Sequence, residues 1–121
     1  MKVVSILGWI LIVIGILGFI PGITTSDGMF LGIFQVDAVH NIIHLIAGIL
    51  AVVFAKSAAK TWGWILGIIF LLLGLIGLFT AGDLLGITAS NAAADWLHIV
   101  LGLLFLWGGM KAGKGAGAAA M

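Results

Sequence analysis

Four apolar runs separated by short polar connections set the outline of this chain. Val3–Ile20, Val39–Ala55, Trp62–Phe79 and Ala92–Met110 are each about long enough to cross a bilayer, since roughly 20 helical residues span a ~30 Å hydrocarbon core. The pattern predicts an all-α fold, an integral membrane four-helix bundle formed by one domain over residues 1–110. The first apolar run is longer than the roughly 7–15 residues of a secretory signal, and no A-x-A-like site follows it; the expectation is a true span. Residues 111–121, rich in Ala and Gly, are expected to form a flexible cytoplasmic tail.

Polar residues break the apolar pattern twice in the same way. Asp37, Asn41, His44 and Gly48 read D-x3-N-x2-H-x3-G; Asn91, Asp95, His98 and Gly102 read N-x3-D-x2-H-x3-G, 54 residues later. The other two spans repeat as well, because Gly8, Gly15 and Gly18 return as Gly67, Gly74 and Gly77 at an offset of 59. The chain therefore reads as two tandem two-helix repeats, about residues 8–55 and 62–110. Each repeat holds an even number of spans, so both copies insert the same way, related by an axis along the membrane normal.

At about 100° per residue, Asp37, His40, Asn41, His44, Gly48, Ala51 and Ala55 share one stripe of the second span. Asn91, Ala94, Asp95, His98, Gly102, Phe105 and Gly109 form the matching stripe of the fourth. Polar groups inside a membrane face the bundle interior, and small residues let helix backbones approach. Asp37 and Asn91 stand where their helices begin and read as N-caps. Asn41 and Asp95 are expected to bond the histidines of the opposite repeat, His98 and His44 respectively. The eight glycines Gly8, Gly15, Gly18, Gly48, Gly67, Gly74, Gly77 and Gly102 read as helix-packing positions. Gly63 and Gly67 form a lone G-x3-G that also suits dimerisation.

The connections differ. Pro21 to about Val36 holds a polar stretch and then the apolar Met29–Phe34 patch, expected as a short interfacial helix or a segment folded back on the bundle. Thr80–Asn91 is shorter and keeps Leu85-Gly86-Ile87, matching Leu31-Gly32-Ile33. Lys56–Thr61 reads as a tight turn.

Composition sharpens the class. Hydrophobic residues make up 64% and charged residues 7%, with a mean hydropathy of +1.40, far from the quarter charged of a soluble domain. Lys2, Lys56, Lys60, Lys111 and Lys114 lie at the termini and the middle connection, whereas Asp27, Asp37, Asp83 and Asp95 lie in or beside the other two. The positive-inside rule then predicts both termini in the cytoplasm. Trp62, Trp64 and Trp107 fall near the inner interface and Trp96 near the outer one. A net charge of +1 leaves no basic stripe for nucleic acid. The absence of cysteine excludes disulfides and thiolate chemistry.

The run His40-Asn41-Ile42-Ile43-His44-Leu45, with Gly48 and the later Asp95-Trp96-Leu97-His98, resembles a bacterial family of small four-span membrane proteins, domain of unknown function 4383. Gly18–Gly22 and Gly32–Val36 also fit its pattern, and the resemblance covers roughly Gly8 to Gly109. It implies four-span architecture in a bacterial plasma membrane and carries no established activity.

The leading expectation is a non-catalytic structural or accessory scaffold without a cofactor, its partners the lipid bilayer, other membrane proteins or further copies of itself. A second reading is divalent metal binding: His40 and His44 at i, i+4 can chelate one ion, with His98 and Asp95 completing the site. Asn41 stands where H-E-x-x-H has its glutamate, so a metalloprotease is not supported. Haem between His44 and His98 is disfavoured by the close helix approach that the Gly and Ala stripes predict. A third reading, transport or pH sensing, follows from histidines at membrane depth. Against it, Leu45–Ala55 and Ile99–Met110 offer no polar steps inward.

Overall fold

The computed structural model describes residues 3–80, 83–84 and 88–112. These comprise helices α1 (Val3–Leu17), α2 (Ala38–Phe54), α3 (Ala59–Thr80) and α4 (Ala92–Ala112), with strands β1 (Met29–Phe30) and β2 (Phe34–Gln35) between α1 and α2, and β3 (Asp83–Leu84) and β4 (Thr88–Ala89) between α3 and α4. The fold is an all-α four-helix bundle built from two tandem repeats, each a helix, a hairpin and a second helix.

Local chemistry sets the ends. The α1 helix stops at Leu17 rather than Ile20, because the chain tightens into i→i+3 turns at Phe19 and Ile20 just before Pro21, which disfavours helical geometry in the residue before it. The α3 helix starts at Ala59, so the expected turn through Thr61 is shorter than its sequence suggests. No Gly or Pro separates Ala59 from Trp62, and the helix continues through Lys60 and Thr61. The α2 helix opens on Asp37, whose Oδ1 accepts from His40 N at 2.8 Å. The α4 helix opens on Asn91, whose Oδ1 accepts from Ala94 N at 2.9 Å.

The Met29–Phe34 patch is not a helix. It forms an antiparallel hairpin pairing Met29 with Gln35 and Phe30 with Phe34. Leu31 and Gly32 have φ of 55° and 72°, a left-handed pair that turns a hairpin and cannot continue a right-handed helix. Asp83 pairs with Ala89 and Leu84 with Thr88, so the second hairpin repeats the register of the first at the offset of 54 residues seen in the histidines. Leu85–Ile87, and the tail beyond Ala112, lie outside the described residues.

The closest helix pairs lie within each repeat, and glycines set their spacing. A methyl group on Gly48 would fall 2.6 Å from Gly8 O, and one on Gly102 would fall 2.8 Å from Gly67 O. Gly15 lies against Asn41 and Leu45, and Gly74 lies against the matching Asp95 and Ile99. Gly63 and Gly67 are covered by Gly109 and Leu106. The G-x3-G is thus spent inside the bundle and is not free for a dimer. Between the repeats, α1 also meets α4 and α2 meets α3, around a core that includes Leu7, Leu11, Leu66, Phe70, Leu101 and Phe105.

The outside of the bundle is apolar. The α2 helix buries His40, Asn41, His44, Ala47, Gly48 and Ala51 while Ile42, Ile46, Ile49 and Val53 point outward, 47–61% exposed. The other helices expose Trp9, Val13, Ile16, Ile68, Leu72, Val100 and Leu103 in the same way. At 22 and 21 residues, α3 and α4 are long and apolar enough to cross a membrane; α1 and α2 have 15 and 17.

Candidate metal centre

Asp37 fixes the first turn of α2, and the i, i+4 spacing, a little more than one helical turn, then stacks His44 beneath His40 on the face turned to the bundle centre. His98 reaches the same point from α4. The three Nε2 atoms form a small triangle, with His40–His44 at 3.1 Å, His40–His98 at 3.2 Å and His44–His98 at 3.4 Å. All three side chains are at most 3% exposed. The His44 ring stands nearly perpendicular to both others, at 85° to His40 and 84° to His98. Phe70 lies 5.9 Å from His44 and 5.8 Å from His98 between ring centroids, and stacks on Phe105 at 7°. Phe70 thus packs against His44 and His98, and Phe105 backs Phe70.

Hydrogen bonds alone cannot satisfy this triangle. A neutral imidazole Nε2 either carries a proton or offers a lone pair. Three such atoms in mutual contact cannot be divided so that every contact joins a donor to an acceptor. At least one edge sets N–H against N–H, or lone pair against lone pair. If all three lone pairs point inward, the arrangement is satisfied by one cation. A tetrahedral ion with N ligands at 2.0–2.1 Å would hold those nitrogens about 3.3 Å apart, and the observed edges bracket that value. The Nδ1 atoms of His44 and His98 are buried without a hydrogen-bond partner. Acceptors at such positions commonly strengthen metal affinity by about 10–100-fold, and these two histidines lack them.

Asn41 and Asp95 do not join the cluster in the way expected. Each is three residues from its histidine, about 60° around the helix, and so faces the partner helix of its own repeat. Asn41 fills the notch left by Gly18, and Asp95 fills the one left by Gly77. Among the described residues, Asp95 accepts from Ser90 Oγ, while the Asn41 Oδ1 is buried without a partner. The expected Asn41–His98 and Asp95–His44 bonds are replaced by histidine–histidine contacts.

The caps do more than begin their helices. Asn91 Nδ2 donates to Ile33 O at 2.9 Å, and its Oδ1 accepts from Gln35 N at 3.2 Å. Thr88 Oγ1 donates to Asp37 Oδ1 at 2.6 Å. Each hairpin is thereby tied to the cap of the opposite repeat, at the end of the bundle near the histidines. Sequence reasoning missed Thr88, Ser90 and Phe70. The repeat counterparts of the first two are Phe34 and Val36, so the duplication gave no signal, and Phe70 is one aromatic in an apolar run.

The sequence matches the family model described as Domain of unknown function (DUF4383) over residues 2–111. The chain belongs to that family. No curated protein and no solved structure matches it.

Proposed function

We propose, with membership of that family as the premise, that this is a four-span bacterial plasma-membrane protein that binds one divalent transition-metal ion through His40, His44 and His98. The observation that carries the metal reading is the triangle of Nε2 atoms with edges of 3.1–3.4 Å, which no arrangement of ring protons satisfies. Three imidazoles suit zinc, copper, nickel or iron. A purely structural cluster would instead leave one buried edge of the triangle facing N–H against N–H or lone pair against lone pair.

The membrane reading is supported by the inverted bundle, with polar side chains inside and isoleucine, valine and leucine outside. It is supported too by one end of the bundle, where Lys111 Nζ lies 5.3 Å from the Trp107 ring and Trp62 stacks on Phe54. Basic and aromatic side chains of this kind anchor helix ends at an interface. Lys56, Lys60 and Lys111 make that end cytoplasmic, and the hairpins with Asp27 and Asp37 face out. Phe70, Phe105, Leu11 and Val4, all nearly without exposure, close the inner half of the bundle; this favours a bound ion over a passing one.

Elemental analysis of protein purified in mild detergent, without chelator, tests the proposal. About one transition-metal ion per chain is expected, and His40→Ala, His44→Ala and His98→Ala should each lose most of it. Because an ion at about 100 times its Kd stabilises the folded state by about 2.7 kcal/mol, chelation should lower the wild-type melting temperature and leave the variants unmoved. Metal-free protein whose melting ignores both added metal and chelator would overturn the reading.

A further inference from the structure

The duplication that builds the triangle also says what it lacks. The offset of 54 residues carries His44 onto His98 and Asp37 onto Asn91, but carries His40 onto Ala94. The pseudo-twofold axis therefore exchanges His44 with His98 and moves the Nε2 of His40 to a point on the Ala94 side of the cluster. Under an exact twofold that point would keep the two distances His40 has to His44 and His98, 3.1 Å and 3.2 Å, with the two histidines exchanged. With His44, His98 and His40 this fourth point would complete a four-cornered ligand set, of which the chain fills three. Ala94 is buried at 1% exposure and ends at its Cβ, with no donor atom to offer.

From this we infer that the metal ion keeps one exchangeable coordination position, facing Ala94, and that this position takes a small single-atom donor: water at rest, displaced by a small monodentate anion. The inference rests on the metal reading above and goes a step past it. Four protein ligands close a zinc-type site and make it structural; three leave it able to bind something else. Phe70 packs on the cluster and is 1% exposed, so the added donor is small and meets a largely apolar surrounding.

The test uses the full chain in detergent, stripped and reloaded with cobalt(II), whose visible bands report its ligands. Wild-type protein should retain one cobalt per chain, and azide should shift its bands in a saturable way. Ala94→His should retain the same amount of cobalt, with a spectrum that azide no longer moves. A wild-type spectrum indifferent to azide overturns the open position while leaving the metal site intact. An Ala94→His spectrum that still answers azide like wild type overturns its placement at Ala94. If Ala94→His does not fold, the wild-type titration decides alone. Failure of wild-type protein to retain cobalt, or equal retention by His44→Ala, defeats the metal reading itself and is thus distinguishable from the other outcomes.

Discussion

Asp95 and Asn41 owe their positions to what is missing opposite them. A methyl group at Gly77 would overlap the Asp95 carboxylate, and one at Gly18 would overlap the Asn41 amide. Gly77→Ala should therefore destabilise the bundle by about 1–3 kcal/mol, the usual cost of overpacking. Asp95→Ala in the same chain should recover part of that loss, because the two residues share one contact. Gly22→Ala should lose a similar amount, about 1–2 kcal/mol, for a different reason that Asp95→Ala does not relieve: nothing lies within 4 Å of it, and only its φ of +94° resists a side chain. Melting temperatures in detergent decide, and a Gly77→Ala protein that melts like wild type would remove the notch from the account. The glycines could be read from the sequence because they recur in register. Their partners could not, since a spacing of three residues leaves Asp95 and His98 about 60° apart, and which of two neighbouring helices each meets depends on the packing.

At the scale of elements, the reciprocal ties between hairpins and caps are the feature with the clearest consequence. Removing Asn91 takes away the α4 cap and both bonds to the first hairpin. Loss of a cap alone costs about 0.5–2 kcal/mol. Asn91→Ala should also speed hydrogen exchange in Met29–Gln35, which belongs to the other repeat, more than in the inner half of α3. Uniform acceleration through the chain would mean that the ties do not matter locally. The four helices were legible because long apolar runs leave few alternatives. The hairpin was not, because a short apolar run has no period to separate strand from helix. The informative signals were Gly28 and Gly32, whose positive φ values of 83° and 72° an apolar-pattern reading does not weigh.

For the whole molecule, the segregation of lysine from aspartate makes a prediction about topology. Ser26 lies in the first hairpin connection and Ser57 in the turn between α2 and α3, both exposed. Single cysteines at these positions in an otherwise cysteine-free chain should label from opposite sides of intact cells, Ser26→Cys from outside. Labelling of both from one side would end the four-span reading. The tandem repeat has one more consequence, concerning number. Two separate, identical chains meeting on a twofold axis must contribute to a shared site in equal shares, so the site holds an even number of side chains. Joining the halves through the short connection before α3 releases that constraint, and one half can change without the other. Two histidines from one side and one from the other is an odd count. A fused pair can hold such a count at its axis where two identical chains cannot, and the single chain thus makes an unsymmetrical site possible in a symmetrical frame.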